Sequence, residues 1–443
     1  MKFEEFKNAC FKIALENGCE NAEVYCAEGD AFSVDALNGN IDKYMVDKNF
    51  GLNLRVIYKG KSGYAYTECM ENPEELVAHA IDNASVIENN DVNPMQGKCE
   101  YPVIKEKSNS VIDMSEKEKI DLALNMEKAV LAYDKRVNRV EGSEVGTGTS
   151  TVHIHNTLGL CADKKSSFSI GVIAPILVQD GDSQMSVSYK SGEDMVNYDD
   201  IIKESVEDAL MQFNANPVPS GEYKVLLKNE AAGDLLAAFC GMFSADSVQK
   251  GLSLLKGKLG ETIASPAVTL VDDPFEEDNP RAFDAEGVPS VKTTLIEKGQ
   301  LKSFLHNLKT ALKDNTVSTS NAGRPGISAP VSVAPSNFYI IKGEKNFDEL
   351  TAELQNGLII TEISGLHAGL NAVSGDFSLI AKGQLVENGK IVHSVNQITC
   401  AGNFLSLMKG IIAVGSDMKF SLPGGSRVGC PSLLIDKLII SGK

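Results

Sequence analysis

The sequence predicts an α+β protein: an N-terminal mixed α/β region followed by a mainly antiparallel, β-rich C-terminal domain with a few helices. Three observations predict it. Helical apolar spacing alternates with short period-2 runs through the first 213 residues. Residues 214–221, with two prolines and a closing Ser-Gly, then interrupt every periodic pattern. Beyond them strand and turn signals dominate. The chain therefore divides into residues 1–218 and 219–443, with a further division allowed near 90–110.

Phe3, Phe6, Cys10, Ile13 and Ala14 recur at helical spacing until Asn17-Gly18 stops them. Residues 23–26 and 32–35 alternate as strands. Residues 52–58 and 63–66 do the same, and Lys59-Gly60-Lys61-Ser62 joins them as a hairpin. Pro73 opens a helix that reaches about Ile87, with Glu74 and Glu75 complementing its N-terminal dipole. Residues 89–108 are polar and contain proline, and read as a connection. Ser115 and Glu118 form a capping box ahead of Ile120, Leu122, Leu124, Met126 and Val130. Strands follow over about 140–189 and a helix over about 198–213. In the C-terminal region, residues 223–227 read as a strand and 229–243 as a helix rich in Ala and Leu. Glu297-Lys298-Gly299 and Asn388-Gly389 mark hairpins. A helix over 403–412 and a strand over 432–440 close the chain.

Of 443 residues, 42 are Lys or Arg and 60 are Asp or Glu, a net charge of −18, with a pI near 4.9. Phosphate repulsion disfavours direct binding to nucleic acid, and an anionic membrane surface is disfavoured likewise. The 43% hydrophobic content supplies a core and excludes wholesale disorder. No run approaches the ~18–20 apolar residues of a membrane span. Acids stand near the N-terminus where a signal peptide would be basic. A cytoplasmic location is expected. The nine cysteines are odd in number, scattered, and nowhere spaced C-x-x-C. That argues against a disulfide framework and a thiolate zinc site.

Few groups suggest chemistry. His153 and His155 share one strand face and can reach one metal, but the sequence shows no third ligand. The acidic run Asp272-Asp273-Pro274-Phe275-Glu276-Glu277-Asp278-Asn279 offers oxygens to Ca²⁺ or Mg²⁺ but lacks the EF-hand pattern. Pro423-Gly424-Gly425-Ser426-Arg427-Val428-Gly429-Cys430 has no phosphate-loop lysine and reads as a turn. Cys430 is a nucleophile candidate with no paired histidine. Ser374-Gly375-Asp376 does not match a nucleophile elbow. The plain readings are strand-face histidines, a solvated loop, a turn and a buried thiol.

Longer strings carry a resemblance. Gly357-Leu358-Ile359-Ile360-Thr361-Glu362-Ile363-Ser364-Gly365 is followed by Ala372-Val373-Ser374-Gly375-Asp376-Phe377-Ser378, Ile398-Thr399-Cys400-Ala401-Gly402-Asn403 and Ile412-Ala413-Val414-Gly415-Ser416-Asp417. Asp284-Ala285-Glu286-Gly287-Val288 and Ser318-Thr319-Ser320-Asn321-Ala322-Gly323 fit the same pattern. Together they resemble the TldD/PmbA family, once called "modulator of DNA gyrase", over essentially the whole chain. The resemblance implies a two-branch metalloprotease acting on short or unfolded peptides, including a microcin leader and an antitoxin. Its TldD-like branch carries H-E-x-x-x-H on the first helix of the C-terminal domain, where two histidines hold zinc and the glutamate takes a proton from bound water.

Matched through Leu236 and Gly241, the motif positions here become Ala237, Ala238 and Met242, and no histidine stands between His155 and His306. The chain therefore resembles the PmbA (TldE) branch. It is expected to have no catalytic, cofactor or metal residues of its own, with zinc on a TldD-like partner subunit. It would complete a substrate cleft in a heterodimer, or form a homodimer. Ser364, Gly365, His367, Ser374 and Asp376 are the substrate-cleft candidates, and hairpin turns are the alternative for them. A stand-alone peptide-binding adaptor is the competing reading. A hydrolase using His153/His155 or Cys430 is a third. A protein-mediated effect on gyrase remains open.

Overall fold

The computed structural model describes residues 1–88, 93–105, 109–422 and 424–443. Helix α1 (Phe3–Glu16) places Glu4 and Glu5 in its first turn and buries Phe6, Cys10 and Ala14. Strands β1 (Asn21–Leu37), β2 (Asn40–Tyr58) and β3 (Lys61–Thr67) follow. The two short strands expected over 23–26 and 32–35 are one. The polar residues between them stay extended because β2 and the later strand β4 pair β1 on both edges, and Glu28 faces both Phe50 and Thr151. β2 begins twelve residues before the expected start, and its first ten residues are exposed or nearly so. Lys59 and Gly60 both adopt positive φ, as a type I′ hairpin requires. Helix α2 (Pro73–Ser85) ends just short of Ile87. Part of the expected connection, residues 89–92 and 106–108, lies outside the described residues. Residues 93–105 form no helix or strand.

In helix α3 (Glu116–Tyr133) the Ser115 hydroxyl accepts from the Glu118 amide, and the Glu118 carboxylate accepts from the Ser115 amide at 2.7 Å. Strands β4 (Val137–Asn156), β5 (Cys161–Gln179), β6 (Asp182–Met185) and β7 (Ser188–Ser191) and helix α4 (Asp199–Leu210) complete the N-terminal region. The sheet runs β3-β2-β1-β4-β5-β6, with β7 also on β5, and all pairs are antiparallel. One core joins α1 and α2 to Val24, Leu52, Leu54 and Val56. A second joins α3 and α4 to Val34, Val145, Ile173 and Leu177.

The C-terminal region begins with β8 (Gly221–Leu227) and α5 (Asn229–Phe239), which tightens into a 3₁₀ turn over Cys240–Phe243. Helix α6 (Ala245–Gln249), strands β9 (Leu270–Asp272), β10 (Thr293–Glu297) and β11 (Gln300–Leu301), and helix α7 (Leu308–Lys313) follow. Next come β12 (Ala322–Gly323), β13 (Ser332–Val333), β14 (Asn337–Ile340), α8 (Phe347–Leu354), β15 (Gly357–Ser364), β16 (Asp376–Glu387) and β17 (Lys390–Asn403). Helix α9 (Phe404–Lys409), β18 (Ile411–Val414), β19 (Lys419–Phe420), β20 (Arg427–Cys430) and β21 (Leu433–Ser441) end the chain.

One sheet runs β17-β16-β15-β8-β21-β18, and β17 also pairs β21, closing five strands into a ring. The other runs β11-β10-β9-β14-β20-β19. Only β15–β8 and β14–β20 are parallel among their pairs. Phe239 stacks on Phe404 at 4.6 Å, and Phe243 tilts against Phe338, in the shared core. The family strings around Asp284 and Asn321 are joints. The Asp284 carboxylate accepts from the amides of Glu286, Val288 and Ala322, and Asn321 donates to Asp272 at 2.7 Å. The acidic run is tied down too: Asp273 pairs with Lys292 and Glu276 with Arg427. Among the described residues no helix is long and apolar enough to cross a membrane, and all nine cysteines are free.

Candidate functional site

Helix α5 packs Ala231, Ala232, Leu235, Leu236 and Phe239 into the core. That stripe turns its other face, Asn229, Glu230, Gly233, Asp234 and Ala237, toward a cavity of about 420 Å³. The cavity lies between the two regions: α4 and the β6–β7 segment on one side, α5, the β15–β16 hairpin and β19 on the other.

Its charges are interlocked. Lys419 Nζ lies 2.6 Å from Glu230 and 2.8 Å from Glu204, above the Tyr189 ring. Lys228 Nζ lies 3.3 Å from Asp208 and 3.8 Å from Glu230. Lys382 reaches Glu362 at 3.0 Å. Carboxylate oxygens of Glu204, Asp208 and Glu230 all lie within 4.8 Å of one another. Burial works to lower the Lys419 pKa, but Glu230 and Glu204 more than reverse it, so the lysine is held firmly protonated. Burial, aided by Glu230 and Glu362, pushes the Asp234 carboxyl up. Burial raises Asp208 as well, against the pull of Lys228.

α5 is the first helix of the C-terminal region, so the H-E-x-x-x-H position implied by the resemblance is testable on it. In the register through Ala237, Ala238 and Met242, Ala237 lines the cavity and none of the three positions carries a histidine or a carboxylate. Met242 lies past the end of α5, in the 3₁₀ turn, and is buried in the core. Nearer its start the same helix turns Asn229, Glu230 and Asp234 toward the cavity. Among the described residues no histidine or cysteine lines the cavity. Zinc favours nitrogen and sulfur donors, and here only oxygens converge, with two ammonium groups already among them. The residues present do not fit zinc.

Of the cleft candidates, Ser364 ends β15, Asp376 starts β16, and Gly365, His367 and Ser374 lie in the loop between. None lines the cavity, but Thr361, Glu362, Lys382 and Gly383 of the same hairpin do. Asn403 secures the loop by donating to the Ser374 carbonyl and the Asp376 carboxylate, each at 2.9 Å. Cys430 is fully buried, and burial followed by Asp417 raises its pKa, the opposite of an activated thiol. Pro423 lies outside the described residues, and Arg427–Cys430 of its string form β20.

The structure brings His153 and His155 together with two residues that sequence reasoning missed. On the β4–β5 ladder His153 is paired with Asp163 and His155 with Cys161. Asp163 Oδ1 lies 2.5 Å from His153 Nδ1 and 2.8 Å from His155 Nε2. Cys161 Sγ lies 3.5 Å from His155 Nε2. The signal was present as two i, i+2 pairs flanking a short turn, which antiparallel pairing folds face to face.

Comparison with known proteins agrees with this architecture. Residues 220–442 match the model of the PmbA/TldA metallopeptidase C-terminal domain, 109–213 that of the central domain and 22–84 that of domain 1. A Thermotoga maritima structure described provisionally as a modulator of a DNA gyrase is 36% identical, with a TM-score of 0.91 over 99% of this chain and 100% of that one. TldE from Thermococcus kodakarensis shares the fold at a TM-score of 0.90 and 21% identity, over 99% of this chain and 100% of that one. A protein of Escherichia coli O157:H7 named metalloprotease PmbA is 24% identical over 96% of this chain and 93% of its own. With the C-terminal domain model alone spanning half the sequence, the chain belongs to the PmbA/TldD metallopeptidase family.

Proposed function

We propose that this chain is the metal-free subunit of a two-chain peptidase, and that it completes a chamber in which a zinc-bearing partner processes unstructured peptides. One observation carries the reading. At the helix where the family's metal motif is implied, Asn229, Glu230 and Asp234 face the cavity, and Lys419 bridges Glu230 to Glu204 of the central domain. The cation between those carboxylates is an ammonium group of the chain itself. It supplies charge balance without an open coordination position for water, so this helix has no means of activating a nucleophile.

The remaining cavity suits binding. Lys228, Lys382 and Lys419 alternate with Asp208, Glu230, Asp234 and Glu362 around it, which offers polar partners for a peptide backbone without one dominant sign. The loop holding Ser364, Gly365, His367, Ser374 and Asp376 continues the hairpin beyond the cavity wall and extends the proposed substrate surface. The nine free thiols suit a cytoplasmic setting.

The test is a peptidase assay on an unstructured peptide, with metal content determined. It compares this chain alone, an H-E-x-x-x-H relative from the same organism alone, and the two mixed. We expect no cleavage by this chain, and more by the mixture than by the relative alone. Metal-dependent cleavage by this chain alone overturns the reading. A mixture no more active than the relative, with no complex on size exclusion, favours the adaptor instead.

A further inference from the structure

A four-donor set on the N-terminal sheet, far in sequence from α5 and independent of the subunit reading, has chemistry of its own. His153 and His155 lie two residues apart on β4, and Asp163 and Cys161 lie opposite them on β5. In an antiparallel ladder all four side chains project from the same face; ligand atoms of His153, His155 and Asp163 lie within 4.8 Å of one another, and Cys161 Sγ stands beside them, 3.5 Å from His155 and 3.9 Å from Asp163. That face lies against the first turns of α1. Phe3 stacks on His153 at 4.7 Å and meets His155 edge-on at 5.5 Å, fixing both rings.

We infer that this four-donor set is a binding site for a divalent transition metal of the zinc type, held by His153 Nδ1, His155 Nε2, Cys161 Sγ and the Asp163 carboxylate. Two imidazoles, a thiolate and a carboxylate are a borderline donor set suited to zinc or cobalt, not to calcium or magnesium. Tetrahedral ligands about 2.1 Å from zinc stand about 3.4 Å apart. Cys161 and His155 are already 3.5 Å apart. The two imidazoles, now 2.5 and 2.8 Å from Asp163, need to open by about 1 Å or less to reach that spacing. Four protein ligands leave no open position, so the ion is structural, clasping β4 to β5 beneath α1. Its binding releases the thiol proton of Cys161.

The surroundings add a competitor. Lys7 Nζ lies 3.2 Å from His155 Nδ1 and 2.7 Å from Glu4. While Lys7 donates to Nδ1, the imidazole hydrogen sits on Nε2 and points at Asp163. A metal on Nε2 needs the other tautomer, whose Nδ1–H cannot face an ammonium donor. Glu4 Oε1, 4.0 Å from Nδ1, is the acceptor that this tautomer requires. Lys7 therefore opposes the metal and Glu4 supports it, as a carboxylate behind a histidine ligand does.

The test is titration of the metal-free full-length protein with Co²⁺, read by absorbance, after circular dichroism confirms that each variant is folded. We expect one equivalent to bind, with visible d–d bands and a near-ultraviolet thiolate-to-cobalt band, both removed by Zn²⁺. Cys161→Ser abolishes the charge-transfer band. His153→Ala weakens binding by at least about tenfold, and Glu4→Gln weakens it by about tenfold. Lys7→Met tightens it. A wild-type protein that shows no charge-transfer band, or a band that survives Cys161→Ser, overturns the assignment and leaves the set as a hydrogen-bonded cluster.

Discussion

Two regions of the molecule set a lysine beside an aromatic ring among ionisable groups. In the cavity, Lys419 lies 5.5 Å from the Tyr189 centroid and holds Glu204 and Glu230. On the β4–β5 ladder, Lys7 lies 5.8 Å from the Phe3 centroid and holds Glu4 and His155. The difference lies in what occupies the centre. Lys419 stands between the carboxylates and takes the place of an ion. Lys7 stands behind a histidine, so the centre of the ladder cluster is left to Asp163, shared by two imidazoles. The cavity beside α5 is thus closed by the chain's own cation, while donors with no metal motif converge on the sheet. Which groups meet, and what neutralises them, decides the chemistry of each site.

The contrast is broken most forcefully at Lys419. Replacing it with Met leaves Glu204, Glu230 and Asp208 close together with only Lys228 beside them, and removing one partner of a buried ion cluster is strongly destabilising. With the lysine side chain one-fifth exposed, a loss of about 2–4 kcal/mol is expected, read by chemical denaturation. Adding Glu230→Gln to Lys419→Met should recover part of it, because the stranded charge is then gone. Full additivity of the two substitutions would mean that the lysine does not serve as the cavity's cation.

The same contrast has a pH signature, with opposite signs. Asp208 and Asp234 have folded pKa values above the ordinary 3.8. The native state therefore binds their protons more tightly than the unfolded chain does. Their contribution is fully present below pH 3.8 and is lost as pH rises through the folded values. Asp163 is displaced the other way: burial raises it, but hydrogen bonds from His153 and His155 outweigh that and lower it. Its contribution is present above 3.8 and is lost as pH falls through the folded value. Melting of the metal-free protein followed across pH should show Asp234→Asn flattening the decline on the rising side, and Asp163→Asn flattening the decline on the acid side. Both variants acting on one limb would remove the electrostatic distinction between the sites.

Legibility from sequence followed the range of the interactions. The Ser115–Glu118 cap and the Asn388-Gly389 turn depend on neighbours within a few residues, and both formed as expected. Helix α8 carries the same kind of signal in Asn346 and Glu349, a capping box set amid turn residues, and the sequence reading passed over it. Strand β1 runs through Glu28, Gly29 and Asp30 because β2, the next strand, and β4, more than a hundred residues on, pair both its edges, which the composition of that stretch does not announce. At the candidate sites the limit was the same. The face of α5 depends on which residues the distant sheets bury, so spacing alone does not show that Ala237 reaches the cavity while Met242 enters the core. Cys161 and Asp163 stand within ten residues of His153, yet only the ladder register makes them its neighbours.

The smallest expected effect concerns the two rings. Tyr189 and Phe3 are both half-buried and both lie beside a lysine, but the Tyr189 hydroxyl also donates to the Phe420 carbonyl at 3.0 Å. Phe3→Leu keeps much of the apolar volume and removes the π face, so it should cost about 0.5–1 kcal/mol, the range for a partly exposed cation–π contact. Tyr189→Leu should cost more, since it forfeits a hydrogen bond as well, and Tyr189→Phe isolates that part. The difference between Tyr189→Leu and Tyr189→Phe is then the ring's share in the cavity, to be set against Phe3→Leu on the ladder. Lys419 is locked between two carboxylates and gains little freedom when its ring is lost. Phe3 also orients His153 and His155, so its removal should broaden or shift their imidazole NMR resonances in the metal-free protein while the melting temperature barely moves. Unchanged imidazole resonances would mean that Asp163 alone holds the rings, and that the ladder, like the cavity, is ordered by its charges and not by its aromatic neighbour.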